Sequence, residues 1–129
     1  THAYVTLRTA PGCREGVNEL RIYDVTHPRA PALRHTVPMQ SPGGLGVDRG
    51  FLFVTNGPQG VDVFDVRQPE QPRLVARMEG LDGYDVIPNA GVLVVSATDG
   101  IYQYDYRQWP IRQLSRIPIP ARKKRVTRR

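Results

Sequence analysis

Val61-Asp62-Val63-Phe64-Asp65-Val66-Arg67-Gln68-Pro69 is the stretch on which the fold turns. Val61, Val63 and Asp65 alternate with Asp62, Phe64 and Val66, and a period of two places each set on one face of a strand. The same signature stands upstream as Leu20-Arg21-Ile22-Tyr23-Asp24-Val25-Thr26-His27-Pro28. It stands again downstream as Ile101-Tyr102-Gln103-Tyr104-Asp105-Tyr106. Asp24, Asp65 and Asp105 are 41 and 40 residues apart, and Pro28, Pro69 and Pro110 follow at similar steps. A strand-rich repeat of about 40 residues is the period of a β-propeller blade, a sheet of four short antiparallel strands.

The flanks of each signature read the same way. Phe51 to Thr55 and Val92 to Ser96 are rich in β-branched and aromatic residues and too short for helices. Gly44 to Asp48 and Tyr84 to Pro88 predict one further strand ahead of each. Asn56-Gly57-Pro58-Gln59-Gly60 and Thr98-Asp99-Gly100 predict hairpin turns, with glycine supplying positive φ. The first repeat has the longer Thr9-Ala10-Pro11-Gly12-Cys13-Arg14-Glu15-Gly16-Val17 instead. Aligning Val5, Val54 and Val94 gives steps of 49 and 40, so this loop is longer by about eight residues.

The count comes to eleven strands, one short of three four-stranded sheets, because the chain opens inside a repeat at His2-Ala3-Tyr4-Val5. The expected fold is all-β: about three blade-like repeats at 1–42, 43–82 and 83–119, forming one domain over 1–119. A propeller closes with about four to eight blades. The ring is therefore expected to be completed by further segments of the same protein or by copies of the chain. The end sheets would otherwise leave open edges and apolar faces. A first residue of Thr1 rather than Met reads as a processed, trimmed or internal fragment.

Composition narrows the function classes. Glycine and proline supply 12 residues each, spread along the chain, as many short elements joined by turns require. The net charge is +6, and it is local. Arg122, Lys123, Lys124, Arg125, Arg128 and Arg129 lie in the 120–129 tail; without them 12 basic residues face 12 acidic ones. The body is neutral, the tail reads as a solvated, disordered end, and nucleic acid is not the expected partner. No apolar window is long enough for a membrane-spanning helix, and no signal-peptide pattern opens the chain.

The repeat core apolar-x-apolar-x-Asp-Val, followed by Pro and then by an Arg- or Leu-bearing strand, resembles the LVIVD repeat, a bacterial propeller-forming repeat. The resemblance spans Ala3 to Ile119, and the segments AYVTLR, GLGVD and YDVIP are similar to parts of exported members, surface lipoproteins among them. The third repeat departs from the pattern at Gln103 and Tyr106. The resemblance implies an exported protein, periplasmic or at the cell surface, and no general catalytic activity.

Candidate site residues follow from loop placement. In a propeller, the turns between the second and third strands share a ring face with the loops entering each innermost strand. Here that face would gather the Cys13 loop, Gln40 to Gly44, Asn56 to Gly60, Gly80 to Asp85 and Ala97 to Gly100. Arg8, Arg14, Glu15, Asn56, Tyr84, Asp85 and Asp99 are the residues expected to contact a protein partner or extracellular ligand. Asp24, Asp65 and Asp105 are expected to be structural, each accepting backbone N–H groups in the turn after its strand.

Trp109 reads as a packing residue at a sheet end, and Cys13 as one half of a disulfide with a cysteine elsewhere, ahead of a loop thiol. His2, His27 and His35 show no metal spacing, no phosphate-binding glycine motif opens a helix, and neither metal nor cofactor is expected. The reading is a non-catalytic binding or scaffold module. Two alternatives are a metal-dependent propeller hydrolase with Asp85 as a ligand, and a basic tail that engages an acidic surface or nucleic acid.

Overall fold

The computed structural model describes residues 1–9 and 16–120. Within them there are eleven strands and no helix. The strands are β1 (His2–Leu7), β2 (Glu19–Asp24), β3 (Ala32–Pro38), β4 (Pro42–Asp48), β5 (Phe51–Asn56), β6 (Val61–Asp65), β7 (Arg73–Met78), β8 (Gly83–Asn89), β9 (Val92–Ala97), β10 (Gly100–Asp105) and β11 (Arg112–Pro118). They form three antiparallel meanders, ordered β1-β2-β3, β4-β5-β6-β7 and β8-β9-β10-β11. No sheet closes on itself.

The repeat is exact in its hydrogen bonding. The residues after the signature aspartates, Val25, Val66 and Tyr106, each donate their N–H at 2.9 Å to the carbonyls of Thr1, Gly50 and Gly91 respectively. Each pairing with the outermost strand slips at the same place, between Ile22 and Tyr23, between Val63 and Phe64, and between Gln103 and Tyr104. An extra residue there bends the outer strand and deepens its twist. Arg49-Gly50 and Ala90-Gly91 make two-residue turns with positive φ at both positions, the geometry that matches strand twist. The sequence reading did not single out these two turns, since Arg and Ala are weak signals for positive φ.

The pairing also corrects the alignment of the third repeat by one residue. Val54 pairs with Asp62, and its equivalent, Val95, pairs with Tyr102; Val94 instead matches Phe53. The step along this strand is therefore 41 rather than the 40 obtained by aligning Val54 with Val94. A one-residue slip sends every side chain to the opposite face, so the correction decides what packs where.

With the register set, the sheets stack in one sense. Tyr4 and Leu20 of the first sheet lie on Leu52, Val54 and Phe64 of the second. The opposite face of the second sheet, Phe53, Val61 and Val63, lies on Val86, Leu93, Val95, Tyr102 and Tyr104 of the third. The middle sheet is thus covered on both faces, and every residue of β6 is buried. That is why its two alternating sets are both largely apolar.

The leading strands meet at the seams. β4 packs against β8, and β1 against β4. Glycine makes the first approach possible: a Cβ on Gly44 would stand 2.7 Å from the Asp85 Cα, and one on Gly46 would stand 2.5 Å from the Pro88 Cδ. These glycines are therefore spacers between sheets. At the other end of the sheets Trp109 packs on Phe51, with ring centroids 5.0 Å apart.

Candidate functional site

The turns and entry loops of the second and third sheets are tied together at one end of the sheets. Asn56, at the end of β5, is the clearest tie. Its Oδ1 accepts the N–H groups of Gln40 and Ser41 at 3.0 and 2.9 Å. Its Nδ2 donates to Gln59 Oε1 at 3.3 Å and to Asp62 Oδ2 at 3.1 Å. The β5–β6 turn is thereby fixed to the loop entering β4. In the third sheet Thr98 N–H donates to the Asp82 carbonyl at 3.0 Å, fixing the β9–β10 turn to the loop entering β8. A bridge between Gly57 and Gly83 joins the second sheet's turn to the third sheet's leading strand.

Two depressions flank the Gly57-Pro58-Gln59 turn. One, of about 660 Å³, lies at the seam of the first and second sheets and is bounded by Val37, Gln40, Gln59, Phe64 and Arg77. The other, of about 260 Å³, lies at the seam of the second and third and is bounded by Pro58, Leu81, Asp82, Thr98 and Asp99. A third hollow, of about 280 Å³ and lined by Pro58, Gln59, Arg77 and Glu79, shares residues with both, so the three run around one turn. Arg77 holds the first depression: its Nε donates to Asp62 Oδ1 at 2.6 Å, and that bond raises its pKa. Asp99 holds the second, accepting the Tyr102 hydroxyl at 2.9 Å with Arg116 3.3 Å away. Accepting that proton favours the neutral phenol, so the Tyr102 pKa rises.

The candidate residues divide on this geometry. Tyr84 and Asp85 are exposed on β8, Asp99 is half-exposed in its turn, and Arg8 is exposed beyond β1. Asn56 is 3% exposed, and its side chain is spent on internal bonds. It therefore shapes the face rather than presenting itself there. Arg14, Glu15 and Cys13, and the tail from Ala121, lie outside the described residues.

The signature aspartates close the strands at the opposite end. Asp24, Asp65 and Asp105 each accept the N–H of the residue two ahead, Thr26, Arg67 or Arg107, at 2.9 to 3.0 Å. Arg67 and Arg107 also fold back onto their aspartates. Hydrogen bonds from those arginines hold the Asp65 and Asp105 carboxyls well below the usual range, and bonds from Thr26 lower that of Asp24 to about 2.

Sequence reasoning missed one cluster. His2, Asp24 and Glu70 bring ligand-type atoms within 4.8 Å of one another across the seam of the first two sheets. They are far apart in sequence, and Glu70, in the β6–β7 connection, carried no signal of its own. His2 Nε2 is buried without a hydrogen-bond partner. Arg34 lies 3.1 Å from Glu70 and 3.7 Å from Asp24, so a guanidinium already supplies the positive charge that a cation would bring. The cluster is an ion-pair network that ties the sheets together. Asp85 belongs to no such group among the described residues.

Comparison of the chain with protein-family models, curated proteins and solved structures finds no match.

Proposed function

We propose that the chain is a non-catalytic binding or scaffold module, a portion of a β-propeller similar to exported LVIVD-repeat proteins. On this reading it engages a protein or extracellular ligand through the loop end of its sheets. One observation carries the reading. The β5–β6 and β9–β10 turns are hydrogen-bonded to the loops entering β4 and β8, which sets Pro58, Asp82, Tyr84, Asp85 and Asp99 on a scaffolded end. Loops held on a rigid sheet stack are where binding residues concentrate. Both grooves at that end combine an apolar wall with a few fixed polar groups, the usual make-up of a recognition site.

The propeller assignment rests on the 40-residue period, the meander topology and the single sense of stacking. Selection of peptides from a displayed random library against the immobilised chain tests the binding face. Tyr84→Ala and Asp99→Ala are expected to weaken the selected peptides at least tenfold, while Arg67→Ala at the opposite end leaves them unchanged. Peptides that lose binding only with Arg67→Ala would place the site at the wrong end and overturn the proposal.

A further inference from the structure

Among the described residues the stacking leaves two faces unpartnered, and they are the two halves of one repeated interface. By register, Tyr4, Leu20 and Ile22 of the first sheet match Phe53, Val61 and Val63 of the second and Val94, Ile101 and Gln103 of the third. The first two members of that series are covered by the next sheet. The third member is not covered by any described residue: Val94, Ile101 and Gln103 are partly exposed, and Ile87 and Ile117 beside them are 60% and 55% exposed. The opposite series runs from Val54, Asp62 and Phe64 through Val95, Tyr102 and Tyr104, all buried, to Val5, Arg21 and Tyr23 of the first sheet, all at least partly exposed.

We propose that a second copy of this chain covers these faces, the first sheet of each copy docking on the third sheet of the other. The proposal rests on reading the sheets as propeller blades. The docking continues an interface the chain already makes twice within itself, which supplies the orientation and the kind of partner. β8 narrows the choice further. Where β4 has Gly44 and Gly46, β8 has Asp85 and Ile87. A leading strand cannot approach β8 as closely as β8 approaches β4, so the occupant must leave room at that edge. A copy of the 129-residue chain presents a first sheet of three strands with β1 at its margin, which leaves that room for Ile87.

Polarity agrees as well. Gln103 stands at the position taken by Ile22 and Val63, and the face that would meet it carries Arg21 and the Tyr23 hydroxyl, both able to donate to its amide oxygen. Two copies of the 129-residue chain bring together six described sheets, within the ~4–8 that close a propeller, so a head-to-tail contact between them ends at a dimer rather than a filament.

Light scattering during size-exclusion chromatography of the 129-residue chain tests this. A discrete species of 29 kDa, twice 14.5 kDa, is expected. Ile87→Asp and, separately, Val5→Asp are each expected to give the monomer mass with an unchanged far-ultraviolet spectrum, since both side chains are exposed in the single chain. If Val5→Asp loses its strand signal, Arg21→Glu on the same face replaces it. Mixing an Ile87 variant with a Val5 variant is expected to restore a dimer, because one of its two junctions is then intact on both sides. A wild-type monomer, or a dimer untouched by substitutions on either face, overturns the proposal. Peptide binding at the loop end, measured on the same samples, reports on the functional reading separately.

Discussion

Gly46→Ala isolates the contact that sets the spacing of the second and third sheets. Its Cβ would sit 2.5 Å from the Pro88 Cδ and 2.8 Å from the Cγ, against an ordinary contact of 3.4 to 4 Å. The seam must therefore open by about 1 Å, and the proline ring, fused to the β8 backbone, has no rotamer by which to yield. Gly46 does not need positive φ, so alanine brings no backbone strain. In an unconstrained strand the change would stabilise by ~0.5–1 kcal/mol through chain entropy. Overpacking at a closed interface costs ~1–3 kcal/mol. The clash wins, because opening the seam also loosens Phe53, Val63, Val86 and Val95 behind it.

A net loss of about 1–2 kcal/mol is expected, read as a lower urea midpoint by the fluorescence of Trp109, the single tryptophan, which packs on Phe51. Pro88→Ala should recover most of the loss in the Gly46→Ala background, giving a favourable coupling in a double-mutant cycle. An unchanged or raised midpoint, or no recovery with Pro88→Ala, refutes the reasoning.

Asn56→Ala removes the acceptor for two backbone N–H groups and is expected to cost roughly 2–4 kcal/mol in chemical denaturation. Asn56→Asp keeps that acceptor but sets a carboxylate against Asp62, so its penalty should shrink from pH 7 to pH 4. Burial raises the folded pKa of Tyr104 and Tyr106 to about 12 from 10.0, so their stabilising contribution is complete below about pH 10 and is lost as pH rises towards 12. Thermal melts across that window should fall, and Tyr104→Phe should flatten the fall. The lowered pKa of Asp24, about 2 against 3.8, works in the opposite direction: its contribution is present above pH 4 and fades as pH drops towards 2, a loss that Asp24→Asn should abolish in acid titration. Ala90 sits at a φ of 51°, and Ala90→Gly is expected to stabilise by roughly 0.5–1 kcal/mol in the same melts.

Much of the architecture was legible because its signals are local. Alternation over Val61 to Val66 fixes a strand and its two faces, and the aspartate spacing fixes the repeat. Gly57 and Gly60 mark a turn that the backbone does make with positive φ at both. The loop-end ties were foreseeable as a neighbourhood, and Tyr84, Asp85 and Asp99 stand exposed or half-exposed there. Asn56 was placed in the right loop, but its burial depends on Gln40, Ser41 and Asp62 converging on it, which no local pattern reports. The His2–Asp24–Glu70–Arg34 network was invisible for the same reason, since its members come from separate elements of two sheets.

The all-β class, the eleven strands of the described residues and the point where the repeat begins again could be read from the sequence alone, because alternation and turn chemistry act over a few residues. Tertiary structure decided the register and everything that register controls. A slip of one residue between Val94 and Val95 costs nothing in local propensity, yet it exchanges the buried and open faces of a whole sheet. Only the packing of Leu93, Val95 and Tyr102 against Phe53 and Val63 distinguishes the two, and so only the folded chain shows which faces remain to be covered.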